Sequence, residues 1–173
     1  MNKLRELALK LGKNARNASS HMHSIKTVKK NDVLRSISDC IEKNKINIFK
    51  GNALDLEVAK KANKDSAFLD RLEITNKSID DMCNGLEQVA SLPDPIGTIS
   101  NLMEQPSGIK VGNMHVPIGV ILMIYESRPN VTVDAAALTL KTGNAIILRG
   151  GSESINSNVV LHTIFHNILK KYN

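Results

Sequence analysis

The chain has 173 residues and a mass of 19.0 kDa, room for one domain with a proper core or for one domain and a small attached piece. Hydrophobic residues make up 42% and charged residues 23%, which excludes a mostly disordered chain, a collagen-like chain and a disulfide scaffold. The net charge of +6 is concentrated in residues 1–50, with 12 Lys/Arg against 4 Asp/Glu; aromatics are only 3% with no Trp, which argues against a stacking platform for single-stranded nucleic acid.

The first half reads as helical. Leu4, Leu7, Ala8, Leu11 and Ala15 fall on one helical face. Val33, Leu34, Ile37 and Ile41 form a second stripe, and Leu54, Val58 and Ala62 a third. The fourth and clearest comprises Ile79, Met82, Cys83, Leu86, Val89 and Ala90. The run SLPDPIG (residues 91–97) then stops helix formation with two prolines and a glycine.

Beyond it the pattern turns to β and then to α/β. Ile109–Val111 and Met114–Val116 flank Gly112-Asn113, the expected turn of a hairpin. Ile118–Tyr125 is nearly all apolar, as expected for a strand covered on both faces. Asn130 or Thr132 can cap a helix running to about Lys141, with inner face Ala135, Ala136, Leu138 and Leu140 and a C-cap at Gly143. Ala145–Leu148 is a second apolar strand. A last helix is expected from Glu153 to about Lys171, with the stripe Leu161, Ile164, Phe165 and Ile168. Strand–helix–strand–helix is the order of a parallel α/β sheet, but two parallel strands make a poor one. The chain therefore reads as the opening of a larger α/β fold with its sheet incomplete.

Ligands of parallel sheets bind at the carboxyl ends of the strands, and two segments lie there. In AIILRGGSES (residues 145–154), glycines admit close approach, the following helix start favours an anion, and Arg149 can pair with a phosphate. A tight turn with a solvated arginine explains the same residues equally well. In YESRPN (residues 125–130), Glu126, Ser127, Arg128 and Asn130 crowd one turn before a helix and could hold an oxyanion or an anionic substrate. Capping by Asn130 with a proline-stiffened turn is the plainer explanation.

The other chemistry-bearing residues read as structural. Cys40 and Cys83 lie on or beside helix stripes, with no CxxC spacing and no histidine nearby in sequence, as buried thiols in a reducing compartment would. His162 and His166 have i, i+4 spacing without a third ligand, so no metal site is expected. His21 and His23 read as a solvated loop. Lys3, Arg5, Lys10, Lys13 and Arg16 read as the wet face of an amphipathic helix, and a nucleic-acid partner is not expected. No apolar run reaches the ~18–20 residues of a membrane helix, and Met1 opens no secretory signal. A cytoplasmic location is expected.

The run Val116–Ser154, VPIGVILMIYESRPNVTVDAAALTLKTGNAIILRGGSES, resembles the γ-glutamyl phosphate reductase (glutamate-5-semialdehyde dehydrogenase) family of the aldehyde dehydrogenase superfamily. GNALDLEVAK (residues 51–60), FLDRLEIT (68–75) and GLEQVASLPDPIG (85–97) resemble the same family's N-terminal half. The resemblance implies NADPH-dependent reduction of γ-glutamyl phosphate to the semialdehyde and phosphate, in proline biosynthesis, through a cysteine nucleophile. It implies an N-terminal helical region (1–95), a hairpin connector (96–117) and the first βαβα of a Rossmann-like NADP-binding domain (118–173). Arg149, Gly150, Gly151 and Ser152 would then bind the cofactor, with Arg149 suited to a 2′-phosphate. Ser127 and Asn130 become oxyanion candidates, and Glu126 and Arg128 substrate-orienting ones.

The nucleophilic cysteine lies in a later part of the family's length, and neither Cys40 nor Cys83 matches its motif. No catalytic residue is therefore assigned, and the truncated chain is expected to be inactive alone. Its expected partners are the small-molecule substrate and either the missing C-terminal half or a full-length subunit. The alternative reading is a non-catalytic cofactor-binding or subunit-interaction remnant.

Overall fold

The computed structural model describes residues 3–172. Residues 1, 2 and 173, which include Met1 and the outer bounds of the two expected end regions, lie outside them.

Five helices come first: α1 (Lys3–Met22), α2 (Thr27–Lys43), α3 (Lys45–Lys61), α4 (Ser66–Leu72) and α5 (Asn76–Ser91). The core forms where stripes meet. Val33, Leu34, Ile37 and Ile41 of α2 face Ile79, Met82, Leu86 and Ala90 of α5, all buried. α6 (Pro129–Lys141) and α7 (Ile155–Lys171) complete this core with Val133, Ala137, Leu161, Ile164, Phe165 and Ile168. The second, fourth and last stripes thus bury as their periodicity predicts. Thr75 and Ser78 close a reciprocal capping box at the start of α5.

Two other stripes are corrected. In α1, Leu4, Leu7 and Leu11 are exposed and only Ala15 and Ser19 are buried, because α1 touches β3 (Val120–Ile124) and β4 (Ala145–Arg149). In α3, Leu54 and Val58 face solvent, whereas Ile48, Gly51, Asn52, Asp55 and Ala59 face inward. Two polar residues win that face because each has buried partners on α7.

The hairpin is also shifted. β1 (Ile99–Glu104) pairs antiparallel with β2 (Lys110–Met114), so Gly112-Asn113 lies inside a strand and not at the turn. The chain reverses over Gln105–Ile109, where Gly108 has φ +85° and Gly108 N–H donates to Gln105 O at 2.8 Å. Gly112 sits opposite a bulge. A Cβ there would lie 3.1 Å from Ser100 O, which explains the glycine by space.

β3 and β4 pair in parallel from Val120↔Ala145 to Ile124↔Arg149, and α6 connects them. β3 is shorter than expected and covered on one side only, with Leu122 and Ile124 exposed. α6 starts after Arg128 with Pro129 in its first turn, and neither Asn130 nor Thr132 caps it. Its buried face is Thr132, Val133, Ala135, Ala137, Thr139 and Lys141, while Leu138 is exposed. Gly143 (φ +67°) follows the helix in the left-handed conformation. A 3-10 turn, Ser152–Ser154, precedes α7. The result is helices, a separate hairpin and an incomplete two-stranded parallel sheet.

Two buried lysines tie the linker after α5 to this core. Lys30 Nζ pairs with Asp94 at 2.5 Å and donates to Lys141 O at 3.0 Å. Lys141 Nζ donates to Asn31 Oδ1 and Ala90 O. Burial alone would raise the Asp94 carboxyl; hydrogen bonds from Lys30, Thr27 and Ile96 N–H outweigh it and hold it below the ordinary carboxylate range.

Candidate functional site at the carboxyl ends of the parallel strands

The parallel register places the two signature segments side by side. β3 runs out into Tyr125–Arg128 and β4 into Gly150–Gly151, with Tyr125 N–H donating to Arg149 O at 3.1 Å. The loops touch. A Cβ on Gly151 would lie 3.1 Å from Ser127 Oγ, and one on Gly150 would lie 2.5 Å from Asn158 Nδ2 and 3.0 Å from the Tyr125 hydroxyl. Gly151 has φ −62°, so its backbone conformation does not require glycine, and the crowding there comes from the side chains of Ser127 and Glu153.

A relay of hydrogen bonds holds the two loops from beneath. The Tyr125 hydroxyl meets Thr132 Oγ1 at 2.6 Å, and Thr132 donates to Asn158 Oδ1 at 2.9 Å. Asn158 Nδ2 then donates to Ser154 Oγ, which donates to Gly151 O. Tyr125, Thr132 and Asn158 carried no signal of this role in the sequence, because the relay joins three elements.

The start of α7 is held from α3. The Asp55 carboxylate, 2% exposed, accepts from Asn156 N (3.0 Å), Asn156 Nδ2 (2.8 Å), Ser157 N (2.8 Å) and Ser157 Oγ (2.7 Å). It serves as a helix cap supplied from a distance. The first α7 amides are therefore already satisfied by the protein's own anion. The Asn156 and Ser157 amides are thus closed to a ligand anion. Asn52 bridges Leu72 O, Ile74 N and Ser157 Oγ, so the segment GNALDLEVAK is a brace for α7.

The expected site residues divide into two groups. Arg149 and Ser152 are exposed at the end of β4, and Arg149 enters no ion pair. Ser127 is buried against Gly151, and Glu126 is exposed. Arg128 and Asn130 turn to the other side, into a cavity of about 300 Å3 between α4, α5 and the start of α6. The YESRPN corner thus serves two surfaces.

The cysteines sit elsewhere. Burial is the largest influence on the Cys83 thiol and raises it, against a lowering hydrogen bond with Ser38. Such a thiol is a poor nucleophile. Cys40 Sγ accepts from Asn44 Nδ2 at 3.4 Å. The rings of His162 and His166 stack with centroids 5.8 Å apart, and among the described residues no three His, Cys, Asp or Glu gather as a metal site. His21 ends α1 as part of the helix and not of a loop; His23 follows in a turn, and both are exposed. Among the described residues no helix is long and apolar enough to cross a membrane.

No family model matches the chain. Over 171 residues it is 47% identical to the γ-glutamyl phosphate reductase of Ruthia magnifica subsp. Calyptogena magnifica, covering 99% of this chain and 41% of that protein. The crystal structure of γ-glutamyl phosphate reductase from Thermotoga maritima superimposes with a TM-score of 0.91 at 36% identity, covering 94% of this chain and 39% of that one. An NAD-dependent benzaldehyde dehydrogenase from Corynebacterium glutamicum superimposes with a TM-score of 0.68 at 19% identity over 89% of this chain and 31% of its own, a likeness of fold alone. The chain spans about two fifths of the length of the curated relatives it matches. Over nearly all of its own length, the chain resembles γ-glutamyl phosphate reductase and has the architecture of the N-terminal part of the aldehyde dehydrogenase fold.

Proposed function

We propose that this chain supplies the cofactor-binding opening of an NADPH-dependent, cytoplasmic reductase that converts γ-glutamyl phosphate to glutamate-5-semialdehyde and phosphate in proline biosynthesis. The described residues within 1–95 form its helical region, 96–117 its hairpin connector and the described residues within 118–173 the first part of its nucleotide-binding domain. The observation that carries this reading is the parallel pairing of β3 and β4. It sets Ser127 against Gly151 and leaves Arg149 unpaired and exposed at the strand end, where parallel sheets take nucleotides.

The residues fit the cofactor. Arg149 offers a guanidinium to a 2′-phosphate, and Ser152 is an exposed hydroxyl beside it. Gly150 and Gly151 keep the backbone bare and the loops close. When bound, NADPH would supply the reducing equivalents, and the Tyr125–Thr132–Asn158 relay fixes the two loops that would orient it. Ser127 lies on the side of the corner nearest this loop, suited to an oxyanion. The nucleophile comes from the rest of the reductase, carried by a partner polypeptide or by the same one, because neither Cys40 nor Cys83 faces this site. Alone, the 173 residues bind cofactor and do not turn over substrate.

Calorimetric titration tests this. The chain binds NADPH at least ~10-fold more tightly than NADH, the worth of one charge-assisted pair, and Arg149→Gln abolishes the preference without unfolding the protein. Equal affinity for the two nucleotides, or a preference that survives Arg149→Gln, overturns the assignment.

A further inference from the structure

A charged pair borders the Gly150–Ser152 loop, and its cation comes from the helical region. Glu153 turns one carboxylate oxygen toward the loop: Ser152 Oγ donates to Glu153 Oε2 at 3.3 Å. The same oxygen lies 2.9 Å from where a Cβ on Gly151 would stand. The other oxygen, Oε1, faces Lys64 Nζ at 3.6 Å. Lys64 lies in the link between α3 and α4, and its backbone is fixed there. Asn63 takes the left-handed conformation (φ +52°), and Lys64 N–H donates to Ala59 O at 3.2 Å. Lys64 Nζ also lies 4.9 Å from the centroid of the Phe68 ring, a cation–π contact that steadies the side chain over α4. Because Asp55 and Asn52 brace α3 against the start of α7, rigid elements deliver this ammonium to the loop.

The pair is loose. Its 3.6 Å separation exceeds the ~2.7–2.9 Å of a charge-assisted hydrogen bond, and the Lys64 side chain is 39% exposed. Lys64 therefore offsets the charge of Glu153 while its donors stay open to a ligand. Without it, an ionised Glu153 beside Gly151 and Ser152 would oppose any phosphate brought to Arg149.

We propose that Lys64 is a second cation of this site, which joins Arg149 in holding the 2′-phosphate of the cofactor and cancels the repulsion from Glu153. The assignment rests on the cofactor reading above. Arg149 places the phosphate at the strand end; Lys64, a point charge on a flexible stem, reaches it from the α3–α4 link. The helical region thereby takes part in the choice between phosphorylated and unphosphorylated nucleotide.

Calorimetric titration of the 173-residue chain and three variants with NADPH and NADH tests this. Lys64→Gln weakens NADPH ~3–5-fold and leaves NADH within ~1.5-fold. Lys64→Arg, which keeps the charge, retains the preference. Glu153→Gln removes the opposing anion and tightens NADPH ~2–3-fold. A Lys64→Gln variant that binds both nucleotides as the parent does, or that weakens both equally, overturns the proposal; equal weakening would make Lys64 a brace of the loop. Weaker NADPH binding by Glu153→Gln overturns it as well. A parent preference for NADPH that falls in Arg149→Gln but not in Lys64→Gln removes the role of Lys64 and leaves the cofactor reading. Equal affinity of the parent for the two nucleotides overturns both.

Discussion

Asp55 offers a direct measure of how the helical region sets the geometry of the loop between β4 and α7. Its carboxylate is buried and accepts four hydrogen bonds from Asn156 and Ser157. Asp55→Ala removes a helix cap, worth ~1–2 kcal/mol. It also strands the Ser157 amide and hydroxyl, in a residue with no exposed surface; an unsatisfied buried donor costs ~1–3 kcal/mol. The two costs share atoms and do not add in full, so a total of ~3–4 kcal/mol is expected. In urea, with a slope of ~2 kcal/mol per molar for a protein of this size, the midpoint falls by ~1.5–2 M. Asp55→Asn, which keeps one acceptor oxygen, recovers part of that loss. A midpoint within ~0.3 M of the parent for Asp55→Ala would show that α7 is held by packing alone and would refute the capping argument.

Three further outcomes follow from the same contacts. Gly150→Ala drives a Cβ to 2.5 Å from Asn158 Nδ2 and 3.0 Å from the Tyr125 hydroxyl, both tied into the relay. It costs ~1–3 kcal/mol of stability, read by thermal unfolding, and lowers NADPH affinity. Asp94→Asn leaves Lys30 buried without its anion and destabilises the chain by ~3 kcal/mol or more at neutral pH, measured by urea unfolding. Because the folded Asp94 carboxyl lies below its unfolded value of 3.8, its stabilisation is full above that pH and is lost as pH falls through the folded value. The Asn variant therefore shows a flatter acid limb.

The parts of the fold legible in the sequence are those whose apolar stripe is also the buried face. α2, α5 and α7 meet that condition, and their periodicity located them. α3 does not. Asn52 and Asp55 are buried there because partners from α7 and from the Leu72–Ile74 turn satisfy them, and no local pattern carries that information. The hairpin failed for a related reason: Gly112 is glycine because of crowding from the opposite strand, so it imitated a turn signal. At the candidate site, the strand ends were legible because parallel pairing forces them together. The cavity beside Arg128 and Asn130 was not, since α4 and α5 supply one wall and the start of α6, distant in the chain, the other.

The proposed function requires that the two loops at the carboxyl ends of β3 and β4 form one nucleotide site. An amide-resolved NMR map of the chain with and without NADPH tests it most directly. Shifts concentrated at residues 125–128 and 149–154 are expected, with their loss at residues 149–152 in Arg149→Gln. Shifts confined to other surfaces, such as the lysine-rich exposed face of α1, would contradict it.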